Sequence, residues 1–128
     1  MNNLEFAKKM QGRTTAFAVQ VIKFFVNLPK ADEARVPGRQ LLRAGTSVAA
    51  NYRAVCRAKS EADFISKMGT VVEEAEESVF WLELVEQAGF ARGHRFNLRI
   101  RRELSCFESF HRRWLPPSGT AAVELGTH

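Results

Sequence analysis

Clustered glutamates, isolated histidines and cysteines, and arginines repeated at helical intervals are the side chains of this 128-residue sequence whose spacing could do chemistry. The run Glu73-Glu74-Ala75-Glu76-Glu77 could supply acid and base groups or metal ligands, because carboxylates one helical turn apart share a face. A di-iron bundle needs Glu-x-x-His pairs from two helices. This chain holds one such pair, Glu108 with His111, while His94 and His128 follow no glutamate at that spacing. Cys56 and Cys106 stand apart, without the paired spacing or clustered histidines of a zinc site. There is no phosphate-cradling glycine loop and no Gly-x-Ser-x-Gly nucleophile elbow. Catalysis, a metal and a cofactor are therefore not expected, and the glutamate run reads as a solvated helix face.

The arginines offer a different chemistry. From residue 37 to 59 stand Arg39, Arg43, Arg53, Arg57 and Lys59 with no acid among them. From 60 to 88, Glu61, Asp63, Glu73, Glu74, Glu76, Glu77, Glu83 and Glu86 oppose only Lys67. From 92 to 115, Arg92, Arg95, Arg99, Arg101, Arg102, Arg112 and Arg113 oppose Glu103 and Glu108, and the whole chain carries a net charge of +5. Such blocks can pair between helices or subunits and fix register, at about 0 to 1 kcal/mol per exposed pair. Left unpaired, they bind a polyanion, since phosphate contacts need no base readout. The candidate nucleic-acid contacts are Arg53, Arg57, Lys59, Arg92, Arg95, Arg99, Arg101, Arg102, Arg112 and Arg113.

Helices must position these charges. Phe17, Val21, Phe24 and Leu28 recur at helical spacing from Thr15 until Pro29 interrupts them. Pro37, at a first helical position, opens a second helix whose Leu41, Val48, Tyr52 and Val55 repeat as far as about Ala58. Ser60 with Asp63 resembles a capping box, and Phe64, Met68, Val71, Ala75, Leu82 and Val85 carry a third stripe to Gly89, a plausible C-terminal cap. Phe96, Ile100, Leu104, Phe107, Phe110 and Trp114 make a fourth, ended by Pro116 and Pro117. Short links turn each helix back on the one before, so an all-α, antiparallel up-down-up-down four-helix bundle is expected over 14–115. An N-terminal extension over 1–13 and a disordered tail over 116–128 would flank this single domain. No apolar run reaches the roughly 18 residues of a membrane span, and "MNNLEFAKKMQGRT" lacks a signal peptide's apolar core. A cytoplasmic location with no membrane partner is expected.

The second helix is thin where bulk would be expected. In "RAGTSVAANYR", residues 43 to 53, Arg43, Ser47 and Asn51 form a polar line at i, i+4 spacing beside small residues, and Glu74 with Glu77 could face that line from the third helix. Small side chains would let the two helices approach and bury a hydrogen-bonded polar seam that sets register. The alternative is an alanine-rich run tolerated on an exposed face. The third helix also shows two apolar lines, Phe64, Met68, Val71, Val79 and Leu82 beside Ile65, Val72, Leu84 and Val85. With Phe80, Trp81 and Trp114 this is more apolar surface than one seam needs, and it fits either a fuller core or burial against a second partner.

Residues 43 to 85 carry a recognisable pattern: Arg43, then Thr46-Ser47-Val48, Asn51, Ser60 before Asp63-Phe64, and Glu74-Ala75, Glu77, Phe80-Trp81-Leu82. In this the chain resembles the bacterial four-helix-bundle family labelled 23S ribosomal RNA intervening sequence proteins, over 14–115. The resemblance implies an up-down bundle that assembles as a homopentamer, some members being encoded within intervening sequences of large-subunit ribosomal RNA genes. A related branch, the accessory proteins of diversity-generating retroelements, implies basic pentameric barrels that bind nucleic acid and a reverse transcriptase. The implied partners are thus the chain itself, RNA or DNA, and a reverse transcriptase or another protein. Arg53-Ala54 stands where many members carry an acid and Glu73 where many carry a lysine, which adds base to the second helix and acid to the third. The expected function is a non-enzymatic oligomer binding nucleic acid through basic surface on helices two and four. The alternative is a structural or adaptor oligomer with no nucleic-acid ligand.

Overall fold

A computed structural model describes residues 3–90 together with Arg99, Arg102, Glu103, Ser105, Cys106, Phe107 and Ser109. Helix α1 spans Asn3–Val26, α2 spans Asp32–Val55 and α3 spans Glu61–Gln87, and the later described residues are all helical. No strand occurs among the described residues. The architecture is an all-helical bundle.

Two helices begin earlier than their sequence signals. Helix α1 starts at Asn3, so residues from Asn3 to Arg13 belong to the bundle and are not an extension. Phe6, Met10, Thr14 or Phe17, and Val21 continue one stripe at helical spacing, with Met10 fully buried and Phe6 packed on the core. Gly12, a poor helix former, lies inside the run without ending it. Helix α2 starts at Asp32 and contains Pro37 instead of opening on it. Asp32 and Glu33 suit the positive end of the helix dipole, and the Ala31 carbonyl accepts from Ala34 and Arg35 at 3.1 and 3.0 Å. Pro37 lacks the N–H that would bond the Glu33 carbonyl, and the first turn instead gains a tie to α1: the Arg35 guanidinium donates to the Phe25 carbonyl at 3.3 Å and lies 4.3 Å from that ring's centre.

The ends of α3 follow local chemistry. Ser60 Oγ accepts from the Asp63 N–H at 3.0 Å, and Asp63 Oδ2 accepts from the Lys59 N–H at 3.0 Å. At the other end Gly89 adopts φ 84°, with Gly89 N–H bonded to Glu86 and Phe90 N–H to Val85. This is a Schellman closure, and glycine takes its left-handed step without a Cβ clash.

Helix α2 packs against both α1 and α3. Its glycines explain the thin stretch. A Cβ on Gly45 would lie 2.7 Å from Val21 Cγ2 and 2.8 Å from Cγ1, and one on Gly38 would lie 2.6 Å from Leu28 Cδ1. The missing bulk therefore admits α1, whereas a close approach to α3 was expected. The contacts run from Gly38 beside Leu28, through Gly45 on Val21, to Phe6 and Ala7 beside Tyr52 and Val55. Leu41, Val48, Met68, Val71, Leu82 and Phe107 complete the core, with the Phe107 ring edge-on to Phe17 at 6.5 Å. Buried Ser78 and Thr14 satisfy their hydroxyls on the Glu74 and Gln11 carbonyls.

Tyr52, the chain's single tyrosine, is buried, and burial followed by Cys56 pushes its phenol well above the usual range. Its folded pKa is raised, so the unfolded chain loses the proton first. Stability should be flat below about pH 10 and fall as pH rises beyond it. Near-ultraviolet phenolate absorbance and circular dichroism should then change together. Ionisation that completes before the helices melt would contradict this environment.

Candidate functional site

The expected polar seam occupies the α2–α3 boundary, with a different geometry. Arg43 Nη1 lies 3.5 Å from Glu74 Oε2, Nη2 bonds Glu77 Oε1, and Nε donates to Gln40 Oε1 at 3.2 Å. Trp81 Nε1 donates to the same Glu77 oxygen at 3.1 Å, and the Phe80 ring stands edge-on to Trp81 at 4.9 Å. The Arg43 side chain is 48% exposed, so this is a surface clamp and not a buried seam. Ser47 and Asn51 are half-buried and make no side-chain hydrogen bond among the described residues. Asn51→Leu should consequently shift the unfolding midpoint by less than the equivalent of about 0.5 kcal/mol. A loss of 2 kcal/mol or more, on the order of a stranded buried partner, would restore the seam.

The cations of α2 and of the turn that follows it fare otherwise. Arg39, Arg53, Arg57 and Lys59 are exposed, and none is ion-paired among the described residues. Nearby, Lys67 is engaged by Asp63 at 2.6 Å. The Lys67 hydrogen bond, then the Lys59 N–H, hold the Asp63 carboxyl below its ordinary value, a contribution present above the carboxylate range and lost as pH falls through it. Phe6 and Ala7 of α1 line a groove of about 540 Å³ with Tyr52, Val55, Cys56, Lys59, Glu61 and Phe64. This places the start of α1, with exposed Lys8 and Lys9, at the same end of the bundle as Arg53, Arg57 and Lys59. Five cations gather there.

A second basic surface lies along α1. Arg99 and Arg102 are exposed and line a cleft of about 260 Å³ with Arg13, Ala16, Phe17, Gln20 and Glu103. Arg13 is anchored: Nη2 bonds Glu103 at 2.9 Å and Nη1 approaches Cys106 Sγ at 3.0 Å, and the Glu103 bond raises its pKa further. Arg92, Arg95, Arg101, Arg112 and Arg113 lie outside the described residues. A first helix that begins at Thr15 leaves out Lys8, Lys9 and Arg13, which the stripe through Phe6 and Met10 places on α1.

Of the glutamate run, Glu74 and Glu77 are held by Arg43. Among the described residues no group of three His, Cys, Asp or Glu side chains could hold a metal ion, and no helix is long and apolar enough to cross a membrane. His111 lies outside the described residues.

A family model described as 23S rRNA-intervening sequence protein matches residues 7–104. A crystal structure of a protein of unknown function from the S23 ribosomal protein family of Bacteroides thetaiotaomicron is similar, with a TM-score of 0.74 at 28% identity, over 83% of this chain and 97% of that one. No curated protein matches significantly.

Proposed function

We propose that this chain, which belongs to the 23S rRNA-intervening sequence protein family, is a non-enzymatic, self-assembling bundle that holds nucleic acid by its phosphates. Its four helices run up-down-up-down, antiparallel, and its copies assemble as a pentamer. One observation carries the ligand. Acid-rich α3 packs directly on α2, yet it engages Arg43 and leaves Arg39, Arg53, Arg57 and Lys59 unpaired among the described residues. Had the charge blocks served only to neutralise one another within the chain, these four would have carboxylate partners there. Instead Arg53, Arg57 and Lys59 share an end with Lys8 and Lys9, which suits a backbone with a phosphate on every nucleotide.

Fluorescence anisotropy with labelled single strands and duplexes of RNA and DNA, repeated across a salt series, tests this. Affinity should fall linearly on a log–log plot as salt rises, with little dependence on base sequence. No binding at physiological ionic strength, or binding indifferent to salt, would overturn it and favour an adaptor oligomer.

A further inference from the structure

We propose that copies of this chain join heterologously, the outward apolar line of α1 in one copy packing on the Phe80–Leu84 ridge of α3 in the next. This rests on the self-assembly stated above and names the surfaces that make it. The inner face of α1 is already occupied, with Met10, Phe17 and Val21 buried in the core. Val19, Ile22 and Val26 form a second line, three and four residues apart, and remain 40, 43 and 68% exposed. On α3, Phe80 and Leu84 stand one turn apart and remain 54 and 41% exposed. Each line is a helix face whose large apolar side chains stay at least 40% exposed.

Charge selects which faces mate. The α1 line is bordered by exposed Lys23, beside Ile22 and Val26. The α3 ridge is bordered by exposed Glu73, two turns before Phe80. Mating α1 with α1 would oppose lysines, and mating α3 with α3 would oppose glutamates. Only α1 against α3 sets opposite charges on either side of an apolar seam, an arrangement that favours this partner over the alternatives. The two surfaces differ, so each copy still presents one of each after joining a neighbour, and assembly ends where the rotation between copies closes a ring.

The ridge is also braced. Phe80 stands edge-on to Trp81, whose Nε1 bonds Glu77, and Glu77 is held by Arg43. Arg43 is thus a positioning residue for the aromatic anchor, and rigid aromatics lose little entropy when they become buried.

Complementation between two variants tests the assignment. Ile22→Asp with Val26→Asp spoils the α1 line, and Phe80→Asp with Leu84→Asp spoils the α3 ridge. All four positions are exposed, so helix content by circular dichroism should match the parent. Where it does not, Val26→Ser and Leu84→Ser replace the pairs. By light scattering each variant alone should have the mass of one chain, while their equimolar mixture should give two chains and nothing larger, because one intact α1 line then meets one intact α3 ridge. A variant that keeps the parent mass, or a mixture that stays monomeric, would overturn the seam while leaving self-assembly standing. A monomeric parent would overturn both.

Discussion

Replacing Arg53, Arg57 and Lys59 together by glutamine should weaken nucleic-acid binding by about a hundredfold at low salt and flatten the log–log salt slope by about 3. The estimate takes each side chain as one phosphate contact, worth on the order of 1 kcal/mol at low ionic strength and one unit of slope. All three are exposed and without ion pairs among the described residues, so no salt bridge is lost with them. Sequence preference should not change, since phosphate contacts orient the ligand without reading it. The glutamine variant of Arg99 and Arg102 makes the comparison useful: a similar loss would mean that the ligand also crosses the α1 cleft, and an unchanged affinity would confine it to the Lys8, Arg57 and Lys59 end. Should the triple variant bind like the parent with the same slope, these cations do not meet phosphate at all.

The largest loss of stability is expected at Gly45. A Cβ there would meet three atoms of Val21, at 2.7, 2.8 and 3.0 Å, the first two closer than a side chain tolerates. Val21 is fully buried, and a β-branched side chain in a helix has essentially one rotamer, so it cannot swing aside. The helices must part instead. Gly45→Ala gains about 1 kcal/mol of helix propensity against about 1 to 3 kcal/mol of overpacking, a modest net loss. Gly45→Val adds two further methyl groups and forgoes most of that propensity, so about 3 kcal/mol is expected, on the order of 10 °C in Tm for a chain of this size. Val21→Ala should recover part of the Gly45→Ala loss, and a double-mutant cycle would measure the coupling. A rise in Tm for Gly45→Ala would show that α1 and α2 do not approach as closely as described.

Much of this molecule was legible from short-range signals. Ser60 and Asp63 marked the start of α3, and Gly89 marked its end, because capping is a transaction between neighbours in sequence. The apolar stripes gave an all-helical bundle, and the pattern from Arg43 to Leu82 gave the family. Arg43 was singled out together with Glu74 and Glu77, the carboxylates it meets, since i, i+4 lines on adjoining helices limit the possible partners. The starts of α1 and α2 were less legible. Gly12 and Pro37 argue locally against a helix, and packing of Phe6 and Met10 in one case, and the Arg35 contact with Phe25 in the other, outweighs them.

Sequence by itself therefore determined the helical class, the local caps, the charge blocks and the family, all of which depend on residue type and on spacing within one or two turns. Tertiary structure alone decided that Gly45 makes room for Val21 on α1, that Arg43 is clamped while Arg53, Arg57 and Lys59 are not, and that Val19, Ile22, Val26, Phe80 and Leu84 face outward. These outcomes depend on how each helix is rotated about its axis against its neighbours. That rotation is set by the summed packing of the whole core, to which no single stretch of sequence has access.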